Sequence, residues 1–143
     1  MAIGQQQDRQ DEGRYDPSGL QPEHAVDLDT GAVVAAELHP ADEGDTTTLS
    51  KTLAAAEANL EAVDTAPTAV DPAECVTDKG YHSRAVLKAL DDSPWKTRIS
   101  EPKQNGFSRW RGDEAARRAV TNNRVRGNNA PEGITIDSAS SRA

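Results

Sequence analysis

The residues with the clearest capacity for chemistry lie in one short run, Thr77-Asp78-Lys79-Gly80-Tyr81-His82-Ser83. It comes after a short apolar stretch and opens a helical pattern. A carboxylate at the end of a buried strand can hold a hard divalent cation, which prefers oxygen ligands. Phosphodiester chemistry often uses two such ions about 4 Å apart, and that requires several convergent carboxylates. Asp78 is the residue placed for such a role. The same run has a simpler reading, in which Asp78 accepts hydrogen bonds within an Asp-Lys-Gly turn and caps the next helix. Taken alone, the run favours the turn.

Other reactive residue types are scattered. His24, His39, His82 and Cys75 fit no ordinary zinc spacing. Asp27 and Asp29 stand two apart, so both could face one side of a strand and one could bind a metal, but the simpler reading puts Asp29 in a hairpin turn and Asp27 on the solvent face. Ser83 reads as a helix cap rather than a nucleophile. From Lys103 to Arg126 run seven cationic residues, Lys103, Arg109, Arg111, Arg117, Arg118, Arg124 and Arg126, with Phe107 and Trp110 among them. Such a stretch either contacts phosphates and stacks on unpaired bases or forms a solvated helix face with Trp110 on the core.

The elements that must position these residues can be read from pattern. Residues 1–22 are polar and punctuated by Pro17, Gly19 and Pro22, and read as disordered. Glu23–Leu28 and Ala32–His39, joined across Asp29-Thr30-Gly31, predict a β-hairpin. Asp45 is a good N-cap for a long helix from Thr46 to about Ala62, with Leu49, Leu53, Ala56 and Leu60 at helical spacing. Pro67 and Pro72 mark a linker. Glu74–Thr77, a helix from about Ser83 to Leu90, and Thr97–Ser100 predict a parallel strand-helix-strand crossover. A basic helix spans about Asp113–Arg124, and residues 127–143 read as a disordered tail.

Composition sets the limits. A chain of 143 residues has room for one domain. With 35% hydrophobic and 3% aromatic residues its core is thin. Charge is uneven: residues 1–75 carry 16 acidic and 3 basic side chains, residues 76–143 carry 8 and 13. Nucleic acid is repelled by the first part and attracted by the second. The single cysteine forms no internal disulfide, no apolar run approaches a membrane span, and no secretory leader is evident. These features suggest a cytoplasmic protein without membrane contact.

Three blocks, EHAVDLDTGAVVAAELHPADEGDTTTL (Glu23–Leu49), VTDKGYHS (Val76–Ser83) and RISEPKQNGFSRWRGDEAARRAVTNNRVRG (Arg98–Gly127), occur in this order. Together they resemble successive blocks of the DDE-type insertion-sequence transposases. The resemblance covers about Glu23 to Gly127. It implies an RNase H-like α/β fold, DNA at transposon ends as partner, and Mg2+-dependent strand cleavage and transfer. It places a catalytic, metal-binding carboxylate at Asp78 and backbone-phosphate contacts on the basic stretch. The family's first Asp lies upstream of the hairpin block and its Glu comes after the basic helix. No matching stretch precedes Glu23, and Asp8, Asp11 and Asp16 lack the context. Glu132, in Pro131-Glu132-Gly133, does not match the later block.

The resulting expectation is a partial RNase H-like fold: a disordered segment 1–22, a partial catalytic domain 23–126 and a disordered tail 127–143. The strand for the first catalytic Asp is expected to be missing, leaving an incomplete sheet. The corresponding function is that of a truncated transposase fragment, inactive alone. The alternative is a non-catalytic DNA-binding or dimerising fragment that self-associates or interferes with an intact transposase.

Overall fold

The computed structural model describes residues 19–103, 110–128 and 134–138. Strands β1 (Leu20–Asp27) and β2 (Val33–Pro40) form the expected hairpin and pair antiparallel. Its turn is closed by Asp27, whose backbone N–H donates to the Ala32 carbonyl at 2.9 Å and whose carbonyl accepts from Gly31 at 2.8 Å. Gly31 sits at φ 72°, a conformation that glycine adopts without a Cβ penalty. The Asp27 carboxylate accepts from the Thr30 hydroxyl at 2.6 Å and the Asp29 N–H at 3.2 Å. Those bonds, the Thr30 hydroxyl first, hold its carboxyl below the usual range. Asp27 is therefore a turn residue.

Helix α1 runs Asp45–Glu61. Its buried positions are Thr48, Leu49, Thr52, Leu53 and Ala56, so the predicted stripe is present and carries two threonines as well. Asp45 is the first helical residue rather than the cap. Gly44 holds the N-cap position without a side-chain bond, and the Asp45 carboxylate turns to Gln21 Nε2 at 3.3 Å.

Next comes the crossover: β3 (Ala73–Thr77), a single 3-10 turn (Lys79–Tyr81), α2 (Arg84–Asp91) and β4 (Trp95–Ile99), with β3 and β4 parallel. Ser83 caps α2, its hydroxyl oxygen accepting the Val86 N–H at 3.0 Å. Helix α3 (Glu114–Gly127) is capped by Asp113, which accepts the Ala116 N–H at 3.1 Å.

One expectation is corrected. Within the tail read as disordered, Ile134–Ser138 forms a fifth strand, β5. The sheet order is β2-β1-β5-β3-β4, so this late strand occupies the centre, antiparallel to β1 and parallel to β3. The position expected to be empty is filled. The cause is the alternation Ile134-Thr135-Ile136: both isoleucines are buried, opposite Asp27 and Ala25 on β1. At the other end, β1 reaches back to Leu20, inside the segment read as disordered. Residues 1–18 lie outside the described residues.

Register puts Ala25, Ala35, Cys75, Thr77, Trp95, Thr97, Ile99, Ile134 and Ile136 on one face, all buried. Leu49, Leu53 and Ala56 of α1, Leu87 of α2, and Ala119 and Val120 of α3 complete the core there. The fold is α/β, a partial RNase H-like arrangement with a mixed five-stranded sheet. On the opposite face Leu20 and Leu38 are 62% and 64% exposed.

Candidate metal and nucleic-acid site

Asp78 stands at the carboxyl end of β3, in extended backbone. Its Oδ1 accepts the Gly80 N–H at 2.8 Å, so it does cap the 3-10 turn. The side chain is exposed, and capping by one oxygen leaves the other available for a further bond. The turn and the ligand readings are therefore compatible.

The neighbouring strand completes the rim. Cys75 pairs with Ile134 and Val76 with Thr135 in parallel register. Continued by two residues, that register sets position 137, an aspartate, level with Asp78. The antiparallel side agrees, pairing His24 with Asp137. Sequence reading passed over Asp137 because its strand lies after the basic helix rather than before the hairpin. The alternating Ile-Thr-Ile-Asp pattern was the available signal.

A second described carboxylate approaches Asp78 from α1. A Cβ on Gly80 would lie 2.5 Å from Asp45 Oδ2 and 3.1 Å from Asp78 Oδ1. Glycine at this position is what lets the two acids face each other. Burial, with smaller contributions from the charges of Asp78 and Glu23, pushes the Asp45 carboxyl up, against the bond from Gln21. A hard divalent cation suits these all-oxygen donors and would relieve their repulsion. Among the described residues, no three His, Cys, Asp or Glu side chains converge on one point.

Level with the rim, on the core face, lies Glu23, 1% exposed. Its Oε2 accepts from Thr48 Oγ1 at 2.7 Å and from the Tyr81 hydroxyl at 3.0 Å. Its Oε1 accepts from Thr52 Oγ1 and lies 3.8 Å from His39 Nε2. His39 is thereby a partner of buried polar groups on the core side. Cys75 is fully buried, and burial with the nearby Glu23 charge pushes its thiol up to about 12, which makes it unreactive.

The basic stretch divides. Arg118 donates to Asp91 at 3.0 Å and lies 3.6 Å from Asp92. Arg124 donates to Glu101 at 2.7 Å, and Arg126 to the Thr97 carbonyl at 3.0 Å. Burial opposes ionisation of Asp91, yet bonds from Asn122 and Arg118 and the charges of Arg118 and Arg126 outweigh it and bring its carboxyl down. These three arginines tie α3 to the crossover. Lys103, Arg111 and Arg117 are exposed, Arg117 with a long 3.8 Å approach to Glu114. Arg109 and Phe107 lie outside the described residues. Trp110 packs against the core, with the Arg84 guanidinium 4.6 Å from its ring centre.

A cleft of about 630 Å3 opens where β3 and β4 end, between Thr77, Ser100, Glu101 and the last turn of α3. Asn123 closes its back, its amide donating to the Ile99 carbonyl at 2.8 Å and its carbonyl accepting the Ile99 N–H at 2.7 Å. His82 Nε2, buried, lies 3.7 Å from Glu101. Crevices at the carboxyl ends of parallel strands are the usual ligand sites of α/β sheets. Among the described residues, no helix is long and apolar enough to cross a membrane.

No curated protein and no solved structure gives a match to the chain. The model of the transposase DDE domain matches residues 4–135, nearly the whole length. With an RNase H-like sheet that carries the Asp-Lys-Gly-Tyr aspartate on its rim, the chain belongs to the transposase DDE-domain family.

Proposed function

We propose that the chain is part of a DDE transposase catalytic domain acting in DNA transposition, built from residues 23–126 together with β5, with Asp78 as a ligand for a divalent cation. The observation that carries the reading is the place of Asp78 at the carboxyl end of β3, level with an aspartate on the adjacent parallel strand. Bound Mg2+ would supply Lewis-acid polarisation of the scissile phosphate and an activated water or 3′-hydroxyl. The chain's own part is to hold the cation at Asp78, with position 137 as the second rim aspartate. Lys103, Arg111 and Arg117, with Arg109 two positions before Arg111 in sequence, meet backbone phosphates of a transposon end. Arg118, Arg124 and Arg126 brace α3 behind them.

Strand transfer by this chain alone is not expected, because the family's carboxylate beyond the basic helix has no counterpart in residues 128–143. The test pairs Mn2+ titration with a strand-transfer assay on DNA bearing transposon ends. The expected outcome is Mn2+ binding that Asp78→Ala removes, without cut product. Failure to bind Mn2+ overturns the ligand role. Efficient strand transfer abolished by Asp78→Ala overturns the inactivity.

A second reading is a non-catalytic DNA-binding or dimerising fragment that interferes with an intact transposase. It is favoured by the exposed cations Arg111, just before the braced helix α3, and Arg117, on it. Mobility shifts that weaken steeply with salt support it, and no binding at low salt removes it.

A further inference from the structure

Glu23 is the most deeply buried acid among the described residues, and the proposed cation and phosphate contacts make no use of it. Burying a carboxylate is costly unless it is fully hydrogen-bonded, and an apolar side chain would serve a core equally well. Glu23 instead receives three hydroxyl donors from two elements. Thr48 and Thr52 come from successive turns of α1, and Tyr81 comes from the 3-10 turn. The Thr52 proton goes to Glu23, so His39 Nε2 acts as donor to Thr52 Oγ1 at 3.1 Å.

One oxygen links the two elements that carry the rim acids. Oε2 takes both Tyr81, three residues after Asp78, and Thr48, three residues after Asp45. Thr48 Oγ1 also contacts the Asp45 carbonyl at 3.2 Å. On its backbone side, Glu23 pairs with Ser138, next to Asp137. A single buried residue thus touches α1, the Asp78 turn and β5 together.

We infer that Glu23 is a positioning residue that sets the turn bearing Asp78, through the Tyr81 hydroxyl, at a fixed separation from the first turn of α1. The inference rests on the reading of Asp78 as a cation ligand, and its test keeps the two apart. The full chain is compared with Tyr81→Phe, Glu23→Gln and, as a control acting on the far oxygen, Thr52→Val. Two readouts are taken: Gly80 amide hydrogen exchange, which reports its bond to Asp78, and Mn2+ affinity with the metal ion alone.

Tyr81→Phe and Glu23→Gln are expected to speed Gly80 exchange and to weaken Mn2+ binding about tenfold, the size typical of groups that orient a ligand. Thr52→Val is expected to lower Tm and leave both readouts within about twofold. If Tyr81→Phe and Thr52→Val move both readouts equally, in step with Tm, Glu23 is merely structural and the inference fails. If the unmodified chain binds no Mn2+, the ligand reading fails instead. Gly80 exchange still decides whether Glu23 fixes the turn.

Discussion

Asp45 Oδ2 occupies the space where a side chain on Gly80 would begin, 2.5 Å from that virtual Cβ. A side chain at position 80 would therefore have to displace the carboxylate of a residue on another element. Gly80→Ala is expected to cost about 1–3 kcal/mol in urea unfolding, the range for forcing an extra methyl into a filled site. Adding Asp45→Ala should return much of that loss, since contacting residues are non-additive. Equal losses in both backgrounds would remove the steric argument.

Acid titration separates two kinds of aspartate. The Asp91 carboxyl is lowered by the fold, so its stabilisation is present above the ordinary value of 3.8 and lost as pH falls through its lower folded value. Asp45 is raised, so the folded state favours its protonated form, and its ionisation costs stability as pH rises through that higher value. Urea midpoints at pH 3 and pH 7 are expected to show Asp91→Asn losing stability mainly at pH 7. Asp45→Asn should gain stability mainly at pH 7. Shifts equal at both pH values would contradict these directions.

Much of the fold was legible in the residues. Leu49, Leu53 and Ala56 announced α1, and Ser83 announced the cap of α2. The Asp78 run was legible because its glycine and its position after a short strand are local signals. Glu23 was not, because its partners Thr48, Thr52 and Tyr81 are 25, 29 and 58 residues away. β5 was missed because five residues between polar segments carry little weight until two neighbours bury Ile134 and Ile136. The arginines of α3 looked alike in sequence, and only tertiary partners such as Asp91 and Glu101 set the bracing ones apart.

The split between the bracing arginines and Arg111 and Arg117 predicts different consequences for DNA. Arg111→Glu with Arg117→Glu should weaken binding at every sequence and reduce the slope of log affinity against log salt by about 0.9 per lost phosphate contact. Their Tm should change little, as for most exposed substitutions. Arg126→Ala should lower Tm, because it strips the donor from the Thr97 carbonyl. Unchanged DNA affinity in the double reversal would move the nucleic-acid surface elsewhere.

Deleting residues 129–143 should abolish cooperative melting. Among the described residues, β1 and β3 are joined in the strand order only through β5, so its loss opens two unpaired edges in mid-sheet. Circular dichroism on heating, with size-exclusion chromatography for aggregation, checks this. A sharp transition in the shortened chain would show that the two halves dock without it.

A keystone strand that comes after both its flanks in the chain also dictates a timetable. The hairpin and the crossover can each take shape as they are synthesised, but their strands cannot join into one sheet until Ile134–Ser138 arrives between them. Such long-range closure is slow, and it leaves nascent molecules with sticky, half-made halves in the interim. Yield in cells should therefore respond to chaperone supply more than the final stability alone would suggest.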